Sequence, residues 1–426
     1  MENSTKLETS INGNNKTPND KFKIYPYRWV VLVLFMLVGA MTQVIWITFA
    51  AITDESAAFY NVTDIHILML SVVFMIAYVP FNFLACYLID KLGLKWGTSI
   101  GVILTGVFGF LRALTANVWV NYWALLVFQI MTAIGQPFVL NSFTKLAATW
   151  FPEKEKTLAT GLGTISTLVG VIIAFLTTPY ILGATTPYRM GWVLYSFGIA
   201  ALVAMVLFLI FVKEKPETPP NAYSDKSKVL ATEGTFKLFK KRDFNLLFVI
   251  LFIGLGSFNA ISSVLDIIFS YSPGDPQPGL IGGIMIIGGI FGALIMSTLS
   301  DKFRKRKIFI ILAMFGGAAL TGVLYFIEND ISRYIVSFFY GFLLVSALPV
   351  GLTFAAEMTY PVPEETSNGL MMWVGQIGGI ILLGCIMLTD IFNASLMYIN
   401  IAIIIALFVV GFILSFFMKD LDAYEI

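Results

Sequence analysis

The chain has 426 residues, of which 58% are hydrophobic and 12% are charged, and its mean hydropathy is +0.84. Soluble globular domains carry about 25% charged residues, so this composition excludes an ordinary soluble globule and predicts a protein that lies mainly within a lipid bilayer. The net charge of +1 gives no basis for a nucleic-acid partner.

In chain order, the sequence begins with a polar stretch, 1–24, which is rich in Asn, Lys and Thr and is predicted to be a disordered cytoplasmic tail. Residues 25–212 are predicted to form a first six-helix bundle, 213–243 a cytoplasmic linker, 244–419 a second six-helix bundle, and 420–426 a short tail. Each apolar segment is long enough for a membrane helix of about 20 residues or more. The predicted spans are 28–53, 66–89, 95–115, 118–146, 157–180, 188–212, 244–270, 277–300, 307–327, 332–357, 364–389 and 393–418.

The basic residues are distributed unevenly over the connections between these spans. Of the 27 Lys and Arg residues, 24 fall on one side of the predicted membrane, and only Arg112, Arg189 and Arg333 fall on the other. Basic residues accumulate on the cytoplasmic side, so both termini are predicted to be cytoplasmic, in a multi-pass protein of the cell membrane. The linker 213–243 holds eight of these residues, and anionic lipid headgroups are their expected neighbours.

Cysteine and histidine usage argues against catalytic or metal chemistry. Cys86 and Cys385 lie singly within apolar segments, which suits helix packing better than a disulfide or a metal site. The single histidine, His66, stands at the start of the second span and is interpreted as an interfacial residue. The spans contain no nucleophile–base set. We therefore predict a monomeric, non-enzymatic carrier of a small solute, with no cofactor, no metal and no catalytic residue.

A short motif occurs at equivalent places in the two halves. DKLG begins at Asp90, after the second span, and DKFR begins at Asp301, after the eighth. The repetition supports two bundles related by pseudo-two-fold symmetry, although each Asp could merely cap a helix end. The residues predicted to act in conformational change are Asp90, Lys91, Gly93, Asp301, Lys302 and Arg304.

Both loops resemble the loop motif of the major facilitator superfamily. In that superfamily the Asp belongs to a charge network that holds the bundles together in one state. The leading Gly of the motif is replaced here by Cys86 and Ser297, which are still small enough for close helix contact. The resemblance implies an all-α fold of twelve transmembrane helices that works by alternating access.

Polar and aromatic residues near the middle of several spans predict a ligand site, because an unsatisfied amide is costly there. An ammonium group could stack on Trp46 or Phe258, with each ring contributing up to about 2 kcal/mol when desolvated, while glutamines bind a hydroxyl. The alternative is that the glutamines only join neighbouring helices and the rings fill space. The candidates are Gln43, Trp46, Phe49, Gln136, Phe258, Asn259 and Gln376, and Asn259 also begins a predicted polar stripe with Ser262, Ser263 and Asp266.

The central parts of the spans contain no Asp, Glu, Lys or Arg. Proton carriers usually place a titratable group there, so the sequence favours facilitated diffusion. Sodium coupling through carbonyls and hydroxyls stays open, as does proton coupling of another small metabolite. A receptor without transport would be expected to carry a larger soluble domain than 213–243.

Several stretches resemble the feline leukaemia virus subgroup C receptor-related family of facilitators, among them GSFNAIS from Gly256, FAAEMTYP from Phe354 and ETSNGL from Glu365. This resemblance implies choline or ethanolamine transport, with haem or porphyrin export as the other activity linked to the family. It also implies a pocket formed by a span-1 Trp and one Gln in each half. The matching positions are Trp46, Gln136, Gln376 and Phe258, whereas Asn259 replaces a family Tyr, which leaves room for a different amine.

Overall fold

The computed structural model describes residues 23–183, 189–218, 238–269, 277–327, 329–359, 364–392 and 397–420. These residues form helices and connecting turns, with no strand among them. The predicted tails 1–24 and 420–426 and the predicted linker 213–243 lie mostly outside the described residues.

Within the described residues, the first half contains nine α-helices. They are α1 (Arg28–Ile47), α2 (Thr53–Tyr60), α3 (Asp64–Leu92), α4 (Leu94–Leu111), α5 (Leu114–Asn117), α6 (Tyr122–Leu140), α7 (Ser142–Trp150), α8 (Lys156–Leu182) and α9 (Met190–Phe211).

The described part of the second half continues with seven further helices. They are α10 (Arg242–Ser263), α11 (Leu265–Phe269), α12 (Gln277–Phe303), α13 (Lys307–Phe326), α14 (Asp330–Thr359), α15 (Glu364–Phe392) and α16 (Met397–Phe416).

Twelve helical stretches in the described part of the chain are long and apolar enough to cross a membrane, which confirms the predicted number of spans. Helices satisfy their own backbone hydrogen bonds, as an apolar solvent requires. Large apolar side chains such as Trp192 and Phe326 remain 71% and 76% exposed, as expected of a lipid-facing surface. Twelve crossings place the start of α1 and the end of α16 on the same side, which we call the terminal face; the opposite side is the distal face.

Two of the predicted spans end earlier than the hydropathy indicates. The first, predicted over 28–53, stops at Ile47 and continues through tight turns to α2. The seventh, predicted over 244–270, stops at Ser263, whose hydroxyl donates to the carbonyl of Asn259 at 2.8 Å. The predicted continuous polar stripe is therefore wrong, because Asp266 lies on the separate helix α11.

The two halves meet along several helix pairs. Near the distal face, α8 packs on α12, where a Cβ at Gly279 would overlap the carbonyl oxygen of Phe175. Helix α3 packs on α15, and the indole nitrogen of Trp373 donates to the carbonyl of Val79 at 3.0 Å. Helix α2 contacts α11. The halves are thus joined at mid-depth and at the distal face.

Candidate functional site

The end of α1 carries the aromatic and amide side chains that the sequence singled out in span 1. Gln43 and Trp46 are both 7% exposed and lie one helical turn apart. Phe49, just beyond the helix, is 1% exposed. The indole nitrogen of Trp46 is buried and has no hydrogen-bond partner. A buried N–H without an acceptor is costly, so this position suits a ligand that brings an oxygen.

A buried arginine holds the backbone beside Trp46. The Nη1 of Arg112 donates to the carbonyl of Ile45 at 3.2 Å and to Oε1 of Gln129 at 2.7 Å. The Nε2 of Gln129 donates to the same carbonyl at 3.3 Å and to that of Leu70 at 3.1 Å. The guanidinium carbon of Arg112 also lies 6.0 Å from the centre of the Phe49 ring. These bonds fix the backbone where α1 ends and thereby position Trp46.

Arg112 falls within the predicted span 95–115, close to its distal end, but it is not the solvated residue that a basic side chain at a span end usually is. The residue belongs to the membrane-length stretch Leu94–Asn117 and is 0% exposed. Its partner Gln129 is 17 positions away on α6. No local pattern in the sequence indicates this pairing, because it depends on how α4 packs against α6.

In the second half, two candidate amides come together. The Nδ2 of Asn259 on α10 lies 3.5 Å from Oε1 of Gln376 on α15, at the long end of the hydrogen-bond range. The helices approach closely because Gly256 and Gly378 face each other without room for a Cβ. Phe258, the neighbour of Asn259, lines an apolar pocket with residues of α8 and α14 instead. A long bond leaves both amides with capacity to bind a ligand.

Gln136 and Gln376 lie at similar depths. Gln136 is buried in α6 and stands 14 residues from either end of the stretch Tyr122–Trp150. Gln376 stands 12 residues from the start of α15. At 1.5 Å per residue, both are about 18–21 Å from the terminal ends of their helices. Among the described hydrogen bonds and ring contacts, none joins Trp46 or Gln136 to the candidates of the second half. The one described hydrogen bond between candidates is that of Asn259 with Gln376, and assembly of the others into a single site stays a prediction.

The first motif loop is held by an ion pair and a helix cap. Asp90 pairs with Lys145 of α7, with Oδ1 of the carboxylate 2.9 Å from the ammonium nitrogen.

The N-terminus of α4, at the end of the same loop, is capped by Glu214. The carboxylate of Glu214 accepts hydrogen bonds from the backbone N–H of Leu94 and of Lys95 at 2.6 and 2.8 Å. Gly93 has φ +93°, and a Cβ there would overlap this carboxylate. Lys91 extends over the ring of Tyr87, with its nitrogen 5.6 Å from the ring centre.

The second motif loop is organised around an arginine that the sequence did not single out. Arg306 binds Glu357 of α14 through two parallel bonds of 3.0 and 2.7 Å and also pairs with Asp301. Bidentate pairs of this kind are the stronger ion pairs. Lys302 and Arg304 are exposed. These described pairs of Asp90 and Asp301 lie within their own halves, and a role in conformational change stays a prediction.

Arg304 adopts the left-handed conformation, with φ +51°, at the loop position that Gly93 occupies in the first motif. This conformation costs a residue with a Cβ about 1–2 kcal/mol, which glycine would not incur. Glycine in turn loses more conformational entropy on folding, which removes roughly 0.5–1 kcal/mol of that gain. We expect Arg304→Gly to raise the midpoint of thermal denaturation slightly. Lys302→Gly, within the last turn of α12, should lower it. Equal losses in both variants would contradict the strain at Arg304.

The described residues contain no group of three or more His, Cys, Asp or Glu placed to hold a metal ion. Two sets of membrane-length helices, with polar groups buried in each, define a two-half membrane carrier. A family model described as the Major Facilitator Superfamily matches residues 31–383, and the chain belongs to this superfamily.

Solved structures support the same fold. A bacterial homologue of the human lysosomal transporter Spinster superposes with a TM-score of 0.70 at 14% identity, covering 95% of this chain and 100% of that one. A D-xylose–proton symporter gives a TM-score of 0.71 at 12% identity, covering 94% and 100%. At these identities the likeness shows the fold alone. It confirms the predicted fold class.

Curated relatives confirm the resemblance that the sequence motifs indicated. Solute carrier family 49 member A3 of Xenopus tropicalis is 31% identical over 85% of this chain and 77% of its own length. The choline/ethanolamine transporter FLVCR1 of Felis catus is 27% identical over 87% of this chain and 69% of its own length. The MFS-type transporter C09D4.1 of Caenorhabditis elegans is 30% identical over 84% of this chain, which spans only 64% of that relative.

Proposed function

We propose that this transporter carries a small organic cation of the choline or ethanolamine class by facilitated diffusion, with the two halves giving alternating access to one site. The buried, unpartnered indole N–H of Trp46 carries the proposal. A hydroxyl oxygen on the substrate would satisfy this donor, while the ammonium group packs against an aromatic face. The names of relatives such as FLVCR1 of Felis catus support the same class of substrate.

Within this class of substrates, the chemistry of the candidate residues favours a quaternary ammonium group, as in choline. Gln136, Asn259 and Gln376 offer neutral amides rather than carboxylates. A quaternary ammonium has no N–H for a carboxylate to bind, and aromatic faces attract it by up to about 2 kcal/mol per ring when water is excluded. The amides are suited to a hydroxyl and to closure of the site around it.

The proposal is tested by uptake of radiolabelled choline into proteoliposomes without an ion gradient. Trp46→Ala removes both the aromatic face and the N–H, and loss of about 2 kcal/mol corresponds to roughly 30-fold weaker uptake at low substrate concentration. Trp46→Phe keeps an aromatic face and loses only the N–H. It should therefore weaken choline uptake more than uptake of tetramethylammonium, which has no hydroxyl.

Trp192→Phe is the matched control, because Trp192 lies on α9 and is 71% exposed. It should leave both uptakes unchanged. Absence of choline and ethanolamine uptake by well-folded wild-type protein would overturn the proposal and direct the next assays to porphyrins or to an ion gradient.

A further inference from the structure

An acidic side chain of the second half caps a helix of the first half near the distal face. One carboxylate oxygen of Asp266 accepts a hydrogen bond from the backbone N–H of Thr53 at 2.8 Å and a longer one from that of Asp54 at 3.4 Å. Helix α2 receives no side-chain cap from Ile52, the residue before it. Asp266 therefore supplies across the interface the cap that a helix usually finds locally.

The surroundings of Asp266 oppose its negative charge. Asp266 is 8% exposed, and Glu55, on the same turn of α2 as Asp54, is 3% exposed. Asp266 lies beyond the membrane-spanning stretch Arg242–Ser263. Burial, followed by the charges of Glu55 and Asp54, raises the pKa of Asp266 to about 7, although the two backbone bonds act in the opposite direction.

Among the described residues of the packed elements, no further charged group offsets this effect. Helix α12, which also packs on α11, carries no charged residue until Asp301, at its opposite end. The groups that face Asp266 from α2 are the acidic side chains of Asp54 and Glu55.

We propose that Asp266 is a proton-binding site whose occupancy favours closure of the distal face. The site exists because the halves touch: Asp266 belongs to one half, and its backbone donors and acidic neighbours belong to the other. When the halves separate at this face, water reaches the carboxylate and its pKa returns towards about 4. The closed state then binds the proton more tightly than the open state.

The sign of the pH dependence follows from linkage. A group whose pKa is higher in the closed state stabilises that state as pH falls through about 7, and the gain is complete below about pH 4, where both states are protonated. Because one proton is involved, the closed-to-open ratio should rise about tenfold between pH 8 and pH 6. The close packing of Gly279 against Phe175 involves no titratable group, so its contribution to the closed state is the same at every pH.

The test measures the distance between the halves at the distal face by pulsed electron paramagnetic resonance, on the full chain in nanodiscs. Spin labels replace Val118 and Ile331, which are 67% and 68% exposed, in a background where Cys86 and Cys385 are alanine. Wild-type protein should shift towards the short distance by about tenfold between pH 8 and pH 6. Asp266→Asn keeps an oxygen acceptor and no charge, so it should remain closed at both pH values.

Two further variants keep the proposal falsifiable if Asp266→Asn folds poorly. Asp54→Asn removes one of the negative charges that raise the pKa of Asp266. The pH at which the distance between the labels is halfway through its change should therefore be lower in this variant. Asp64→Asn, at the start of α3 on the same face, should leave the midpoint unchanged. A wild-type distance that does not respond to pH, or an equal response in Asp266→Asn, would overturn the inference. The inference rests on the alternating access of the proposed function but not on its substrate, and because the distance is measured without substrate, its failure can be told apart from failure of choline uptake.

Discussion

Gly341→Ala is expected to disrupt the second half, because this glycine lies where two helix backbones touch. A Cβ at Gly341 of α14 would overlap the carbonyl oxygen of Met285 on α12. On α12, Gly288 and Gly292 are four residues apart and face the carbonyls of Phe338 and Phe342 in the same way. Small residues at this spacing let membrane helices approach closely.

The expected loss of stability is large because the clashing atoms belong to backbone. A side chain could rotate away, whereas a carbonyl oxygen moves only with its helix. Overpacking typically costs about 1–3 kcal/mol and occasionally more, and this case should lie at or above the upper end. Fluorescence-detected size-exclusion chromatography after heating would report it as a lower denaturation midpoint, or as loss of the monodisperse peak.

Gly384→Ala provides the matched control in the neighbouring helix α15. A Cβ at Gly384 would meet no atom within 4 Å. Alanine should therefore leave stability unchanged, or improve it by up to about 1 kcal/mol through its better helix propensity. If Gly341→Ala and Gly384→Ala denature at the same temperature, the α12–α14 contact is looser than described.

The number of spans and the fold class could be predicted because they depend on hydropathy summed over long segments. Local breaks depend on single contacts and could not. The first span ends at Ile47, where the carbonyl of nearby Ile45 is held by Arg112 and Gln129. The seventh ends at Ser263, ahead of a residue whose carboxylate binds the other half. In both places tertiary bonds replace the regular helix that composition alone would favour.

For the candidate site residues, burial could be predicted from the sequence, whereas their role in binding stays a prediction. Polar residues in an apolar stretch are visible in the sequence, and Gln43, Trp46, Gln136 and Asn259 are indeed buried. Their hydrogen-bond partners cannot be identified from the sequence, because the 3.5 Å contact joins Asn259 to Gln376, which is 117 positions further along the chain. Arg112 was missed because it stands close to a span end, where a basic residue is usually solvated.

Gln129→Leu is expected to destabilise the first half more than Arg112→Met, although arginine carries the charge. Oε1 of Gln129 is the one side-chain oxygen, among the described residues, that accepts a hydrogen bond from Arg112. Its loss leaves a fully buried guanidinium with the Ile45 carbonyl alone, and leaving a buried charged donor without its partner costs about 3 kcal/mol or more. The carbonyl of Leu70 loses its donor from Gln129 as well.

Arg112→Met removes the charge together with its demand for partners, while Gln129 keeps its bonds to the carbonyls of Ile45 and Leu70. The expected cost is about 1–3 kcal/mol, for one buried amide oxygen left without a donor. The double variant should therefore be more stable than Gln129→Leu alone, since neither an unpaired charge nor an unpaired amide remains. Thermal denaturation of the two single variants and the double variant forms the cycle that measures this coupling. Additive losses would show that the two side chains act independently, and that the end of α1 beside Trp46 is held by other contacts.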